Sequence, residues 1–173
     1  MTVQREPVTA RDGFYEYYAQ ESLSESTLAR FASTKALMER VLASRGAAGR
    51  RLHVADIGCG AGTQCRMWAD DGHTVVGCDL NEGLVELARQ RAAEQGREDI
   101  TFHVASAEAL PIPDRSVDVC LAPELLEHVP DWESCLNEFA RVLKPGGLLF
   151  ASTTNVLCPV QQEYKLPLYS WYP

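Results

Sequence analysis

The chain has 173 residues, of which 46% are hydrophobic, and a net charge of −8 at neutral pH. This length suits one domain with an ordinary core, and the acidic balance argues against a broad nucleic-acid surface. No apolar run is long enough to cross a bilayer, and residues 1–13 lack the apolar centre of a signal peptide, which predicts a cytoplasmic location. The six cysteines form no Cys-x-x-Cys pair, so neither a zinc site nor a disulfide framework is predicted.

The first part of the chain is predicted to be helical. An aromatic cluster at residues 14–18 precedes a stretch over residues 24–43 whose apolar side chains recur at helical spacing, and two glycines follow it. We assign residues 1–49 to an N-terminal helical cap. The aromatic cluster either packs against the helix or, through Tyr15 or Tyr18, forms a lid over a ligand.

Strand and helix signals alternate after this cap. Short apolar runs predict strands at residues 52–57, 74–78, 100–104, 117–121 and 148–152, and helical spacing predicts helices at residues 62–71, 82–95 and 132–143. A tight turn is predicted at Lys144–Gly147, where proline and glycine supply the corner angles. The alternation predicts an α/β fold with a mostly parallel sheet, helices on both faces, and a ligand at the carboxyl ends of the strands.

The segment Val54–Thr63 carries an acid and three glycines at the end of the first predicted strand. Asp56 is followed by Gly58, Gly60 and Gly62 at alternate positions. A turn from strand to helix needs backbone angles that favour glycine, and a ligand lying against it needs the side chains to be absent. The dinucleotide fingerprint Gly-x-Gly-x-x-Gly places its third glycine one residue later, so the spacing argues against a nicotinamide cofactor.

A second acid, Asp79, ends the second predicted strand, 23 residues after Asp56. A carboxylate at this place accepts hydrogen bonds from the ribose hydroxyls of a nucleotide-type ligand. Because dinucleotide-binding folds use the same acid, Asp79 supports a ribose-containing cofactor without choosing between cofactors.

Four motifs, in this order, resemble the class I S-adenosylmethionine-dependent methyltransferases of type 11. They are the glycine segment, the strand end at Asp79, the segment Ala105–Asp114, and Val117–Pro130 followed by Leu143–Gly147. The resemblance covers residues 50–155 and implies a Rossmann-like three-layer sandwich that binds S-adenosylmethionine. The cofactor-binding positions that it implies are Asp56, Gly58, Cys59, Gly60, Gly62, Asp79, Leu80, Ser106, Ala107, Glu108, Pro123 and Tyr18.

The segment after the third predicted strand resembles the family's adenine-recognition motif, in which an acid and the next backbone amide bind the edge of the base. Ser106 stands where the family usually has aspartate, and the amide belongs to Ala107. A hydroxyl accepts a hydrogen bond from the adenine amino group more weakly than a carboxylate does. Glu108 either covers the adenine or faces solvent.

The motif Glu124-Leu-Leu-Glu-His128 follows the fourth predicted strand and has three interpretations. On a helical turn, Glu124, Glu127 and His128 share one face. The histidine packs under the loop, or acts as a general base toward a hydroxyl with Glu124 beside it, or joins the two carboxylates in binding Mg²⁺. The motif resembles the ubiquinone-biosynthesis O-methyltransferases, and also the small-RNA 2′-O-methyltransferases, in which these positions bind metal.

The resemblance implies an enzyme that transfers a methyl group from S-adenosylmethionine to a small molecule, most simply to a hydroxyl oxygen. The alternatives are a metal-dependent RNA 2′-O-methyltransferase, against which the acidic balance argues, and a non-catalytic module that binds the cofactor or a partner.

The chain is expected to be truncated after the fifth strand, because the family usually continues with a helix and a β-hairpin. We assign residues 156–173 to the start of a substrate or interface segment. The apolar run Leu148–Ala151 is then expected near an open sheet edge, where two copies of the chain could associate.

Overall fold

The computed structural model describes residues 20–153. These residues form four helices and five strands in the predicted alternating order. The helices are α1 (Glu25–Ser44), α2 (Thr63–Ala69), α3 (Glu82–Glu94) and α4 (Trp132–Val142), and the strands are β1 (His53–Ile57), β2 (Thr74–Asp79), β3 (Ile100–Val104), β4 (Val117–Pro123) and β5 (Leu143–Ser152). The aromatic cluster, including Tyr15 and Tyr18, and the segment 156–173 lie outside the described residues, so the three-part division of the chain stays a prediction.

The five strands form one sheet in the order β3-β2-β1-β4-β5, and every neighbouring pair is parallel. Strand β1 pairs with β2 on one side and with β4 on the other, so the chain builds outward from β1 in both directions. The order reverses between β1 and β4. In an open parallel sheet, a crevice forms at the carboxyl ends of the strands at such a reversal. The predicted parallel α/β fold is confirmed, and its topology locates the site.

Helices cover both faces of the sheet because the two crossovers beside β1 run in opposite directions. On one face, α1, α2 and α3 pack on the strands around the fully buried ring of Trp68. On the other face, α4 packs through Cys135, Phe139 and Val142. Each central strand therefore buries apolar side chains in both directions, which explains the continuous apolar runs in the sequence.

Three of the four described helices, α1, α3 and α4, begin at side-chain caps, whereas α2 begins at Gly62 without one. Ser24 accepts a hydrogen bond from the amide of Thr27 at the start of α1, and Asn81 and Asp131 cap α3 and α4 in the same way. Such caps satisfy amides that have no partner within the helix, and each contributes about 1 kcal/mol. Within the described residues, no helix is both long and apolar enough to span a membrane.

Two local predictions differ from the structure. The predicted turn Lys144–Gly147 is a bulge within the bounds of β5, because these four residues stand between two paired positions of β5 that face Val117 and Val119 of β4. Residues 124–128 form a turn that is not helical, because Glu124 has a left-handed backbone with φ +50°. The predicted shared helical face of Glu124, Glu127 and His128 is therefore wrong.

The third glycine of the loop before α2 is required by packing as well as by backbone angle. Gly62 has φ +76°, and a Cβ built there would lie 2.7 Å from Cζ of Phe102 and 3.0 Å from Cβ of Ala88. Neither a ring packed in the core nor a helix backbone can move cheaply. The loop is thereby held against β3 and α3.

We predict that Gly62→Ala destabilises the fold more than Gly72→Ala does. Both positions have positive φ, which costs alanine about 1–2 kcal/mol. Only Gly62 adds an overpacking cost of about 1–3 kcal/mol, because a Cβ at Gly72 would meet no atom within 4 Å. Urea unfolding of both variants measures the difference, and equal losses of unfolding free energy would contradict the packing account.

Candidate active site at the strand ends

The glycine loop, residues 58–62, joins the end of β1 to the start of α2. Its three glycines have φ of +77°, +50° and +76°, as the alternate spacing predicts. The amides of Gly58 and Cys59 both donate to the carbonyl of Cys78, at 2.8 and 3.1 Å, which ties the loop to the end of β2. The loop therefore leaves β1 beside the reversal of the strand order, where the fold predicts a ligand, and it is anchored to β2 on the opposite side of β1.

Asp79 at the end of β2 holds this loop through its carboxylate. Its Oδ2 accepts a hydrogen bond from the amide of Gly60 at 2.8 Å, and its Oδ1 accepts one from the amide of Asn81 at 2.8 Å. Each carboxylate oxygen can accept a second hydrogen bond, and the residue is partly exposed. Asp79 thus fixes two loops and keeps acceptor capacity toward solvent.

Asp56 is buried beneath the loop. Its side chain is 1% exposed, and its Oδ2 accepts a hydrogen bond from the Cys65 thiol at 3.2 Å. Burial, reinforced by the negative charge of Asp79, raises the pKa of Asp56 to about 7. The buried carboxylate therefore contacts α2, and the cofactor contact that the sequence predicts for Asp56 stays a prediction.

The segment after β3 is a loop that packs onto α4. Its start is tied to β2 by the amide of Ala105, which donates to the Asp79 carbonyl at 3.0 Å. The hydroxyl of Ser106 accepts a hydrogen bond from the amide of Glu108 at 3.2 Å, and Ala107 is buried. Leu80, which lies between the end of β2 and the start of α3, is 70% exposed. An exposed apolar side chain, a serine turn and Asp79 therefore lie at the ends of two neighbouring strands.

The turn after β4 is bound to the end of β5. The amide of Glu124 donates to the carbonyl of Ser152 at 2.9 Å, and the Ser152 hydroxyl donates to Oε1 of Glu124 at 2.6 Å. His128 is exposed, and its amide closes the turn onto the carbonyl of Leu125 at 2.9 Å. Oε2 of Glu127 is buried and has no hydrogen-bond partner among the residues that the structure describes. The contact of Ser152 with Glu124 was not predicted from the sequence, because Ser152 comes 28 residues later in the chain.

The predicted metal site does not form in this structure. Among residues 20–153, no three histidine, cysteine, aspartate or glutamate side chains are placed to hold a metal ion. The left-handed backbone at Glu124 interrupts the helical spacing of Glu124, Glu127 and His128, and the Glu124 carboxylate accepts a hydrogen bond from Ser152. The donor set therefore does not fit Mg²⁺.

Comparison with known proteins identifies the domain. Residues 55–151 match a family model described as a methyltransferase domain. The chain belongs to this family. A ubiquinone biosynthesis O-methyltransferase of Coxiella burnetii is 39% identical over 118 residues, which are 68% of this chain and 47% of that protein. One of Paracidovorax citrulli is 43% identical over 125 residues, which are 68% of this chain and 52% of that protein.

Solved structures agree with this family. An S-adenosylmethionine-dependent methyltransferase from Methanosarcina mazei has a TM-score of 0.54 and 32% identity, covering 58% of this chain and 51% of that one. A protein from Pyrococcus horikoshii has a TM-score of 0.67 and 26% identity, covering 79% of this chain and 64% of that one. The chain spans about half the length of the curated relatives it matches.

The burial of Asp56 predicts a pH dependence of stability. Between the ordinary carboxyl pKa near 4 and the folded value of about 7, the folded chain holds a proton that the unfolded chain releases. Wild-type stability therefore falls as pH rises through this window. We predict that Asp56→Asn removes the slope, so the variant gains on the wild type by up to about 1.4 kcal/mol per pH unit.

Urea unfolding at several pH values within this window checks the prediction. Asp71→Asn is the matched control, because a hydrogen bond from Lys35 lowers the pKa of Asp71 and keeps this carboxyl ionised throughout the window. The control should differ from the wild type by a constant amount. A flat difference for Asp56→Asn would show that Asp56 does not hold a proton in the folded chain.

Proposed function

We propose that the chain binds S-adenosylmethionine at the carboxyl ends of β1, β2 and β3 and transfers its methyl group to a hydroxyl oxygen of a small molecule. The observation that carries the proposal is the Asp79 carboxylate at the end of β2, which accepts a hydrogen bond from the amide of Gly60 in the loop that leaves β1 beside the reversal of the strand order. The proposed ribose-binding acid thus contacts a loop in which three of the five residues are glycine. The O-methyltransferases among the relatives support oxygen as the acceptor.

The residues at the strand ends fit this cofactor. A Cβ at Gly60 would meet no protein atom within 4 Å, so the loop leaves open space where a ligand can approach the backbone. Asp79 has acceptor capacity for the ribose hydroxyls, and the exposed Leu80 offers an apolar surface to a base. Ser106 and the amide of Ala107 are the proposed partners of the adenine edge. Cys59, Glu108 and Pro123 complete the proposed lining.

The bound cofactor supplies a methyl group that its sulfonium already activates. The chain must therefore orient the acceptor, exclude water, and take the proton of the attacking hydroxyl. His128 is exposed and can accept that proton at its imidazole. Glu124 is held by Ser152 in a fixed direction and can bind the acceptor hydroxyl. We propose His128 as the base and Glu124 as the orienting group.

The first experiment measures cofactor binding. Titration calorimetry with S-adenosylhomocysteine should show binding by the wild type and a loss of affinity on the order of a hundredfold for Asp79→Ala, because the ribose contacts and the anchor of Gly60 disappear together. Asp71→Ala is the control, since Asp71 pairs with Lys35 at the opposite end of β2. An unchanged affinity for Asp79→Ala would overturn the proposed site.

The second experiment measures turnover with catechols and phenols. Loss of general base catalysis in His128→Ala should lower kcat on the order of a hundredfold or more while leaving the affinity for S-adenosylhomocysteine unchanged. Retention of full kcat would remove His128 from the chemistry. A chelator should not change the activity, since the donors for a metal do not converge. Chelator sensitivity that disappears in a Glu124→Ala, Glu127→Ala double variant would instead restore the metal interpretation.

Two further predictions remain open to test. Strand β5 stands at the edge of the described sheet and exposes Leu149, and we propose association of two copies along this edge. Light scattering with Leu149→Lys as the variant checks it, since a charge on the face next to the edge should favour monomers.

The cytoplasmic location stays a prediction that cell fractionation can check.

A further inference from the structure

The loop between β3 and β4, residues 105–116, contains no helix or strand of its own. Ordering such a segment costs backbone entropy, so contacts with the rest of the domain must fix its path. Its apolar side chains Ala107, Leu110 and Ile112 are buried against α4, which supplies part of this order. Apolar burial is not directional, so it does not by itself fix which way the backbone amides point.

Directional contacts come from two residues of α4, Glu138 and Arg141. The guanidinium of Arg141 donates to the carbonyl of Leu110 at 3.0 Å, to the carbonyl of Ile112 at 2.9 Å, and to the carboxylate of Asp114 at 2.6 Å. These partners alternate along the loop. One side chain therefore binds the loop at three successive alternate residues.

Glu138 completes this arrangement. Its Oε2 accepts a hydrogen bond from the amide of Leu110 at 2.7 Å, and both of its oxygens accept from Arg141, at 2.6 and 2.7 Å. The amide and the carbonyl of Leu110 are thus both bound by the same ion pair. Glu138 and Arg141 are three residues apart on α4, so the two side chains lie next to each other on one face of the helix and form an ion pair.

An ordinary surface ion pair contributes little to stability, because water competes for both charges. Here the pair forms hydrogen bonds with backbone groups in the middle of the loop, at Leu110 and Ile112, whereas the end of the loop is bound to α4 by the amides of Arg115 and Ser116. Glu138 and Arg141 side chains are 19% and 31% exposed, so water reaches them only in part. Removing either side chain leaves the loop attached through its apolar side chains and through the amides of Arg115 and Ser116, which donate to the carbonyls of Arg141 and Val142, but it removes the hydrogen bonds that orient the backbone at Leu110.

The geometry points to Glu138 and Arg141 as positioning residues for base recognition, holding residues 105–114 so that Ser106 and the amide of Ala107 face the edge of the cofactor's base. This inference rests on the proposed function, in which those two groups bind adenine. Neither residue touches the cofactor. Their effect acts through Leu110, four residues after Ser106, and through the closed turn between Ser106 and Ala109, where an amide donates to a carbonyl at 3.1 Å.

The test compares two ligands that differ only at the edge of the base. S-adenosylhomocysteine carries an amino group there, and S-inosylhomocysteine carries an oxygen, which reverses the hydrogen-bonding pattern. Calorimetry on the full chain should show that the wild type prefers the adenine form. Arg141→Ala should weaken binding of the adenine form on the order of tenfold and change the inosine form much less, so the preference shrinks.

Glu138 offers a conservative pair of variants. Glu138→Gln keeps an oxygen that can accept from the amide of Leu110, whereas Glu138→Ala does not. The glutamine variant should therefore retain more of the preference for adenine. Arg97→Ala is the matched control, because Arg97 pairs with Asp70 and Asp99 near the amino end of β3 and donates to the carbonyl of Ala69. It should leave the ratio of the two affinities unchanged.

The outcomes separate this inference from the proposed function. If the wild type binds neither ligand, the proposed function fails. If the wild type binds both equally, or if Arg141→Ala weakens both by the same factor, the pair has no role in base recognition and the inference is overturned. Should Arg141→Ala fail to fold by circular dichroism, Arg141→Lys decides, because lysine keeps the charge but cannot reach three partners at once. An unchanged preference in that variant overturns the inference.

Discussion

The parallel pairing of β1 on both of its sides is the constraint on which the site depends. Strands added first on one side of β1 and then on the other create a reversal of strand order beside β1, and it is the one reversal in the described sheet. The glycine loop leaves β1 at this point, and Asp79 leaves the neighbouring strand. The hydrogen bond between Gly60 and Asp79 depends only on these two residues, but the order of the strands decides where in the sheet it forms.

The same topology distributes the helices unevenly. Three described helices pack on the face below the glycine loop, and α4 alone packs on the other face. The loop after β3 packs on the side of α4, because the strand that follows it, β4, is added on the other side of β1. The glycine loop and the loop after β3, which we propose to bind the ribose side and the base of the cofactor, are therefore supported by helices on different faces of the sheet.

Much of this arrangement could be predicted from local sequence. The alternate glycines, the acid at the end of β2 and the strands and helices depend on residue type and spacing, which are visible in the chain. The turn at Glu124 could not be predicted, because its left-handed backbone is stabilised by Ser152, which is distant in sequence. The spacing of Glu124, Glu127 and His128 predicted a helical turn there, but the hydrogen bonds between Glu124 and Ser152 stabilise a different turn. The role of Asp56 likewise depends on burial, which the motif does not reveal.

The glycine loop also lies beside an unusual concentration of thiols. The five cysteines within the described residues are all buried. Burial raises the pKa of Cys78 to about 12 and that of Cys65 well above its ordinary value, so the reactive thiolate is scarce while the domain is closed. The Cys65 thiol donates a hydrogen bond to the buried Asp56, and the carbonyl of Cys78 accepts hydrogen bonds from the first two amides of the loop. The rate at which a thiol reagent modifies these five cysteines therefore reports how often the domain opens, and a ligand that closes the loop should slow it.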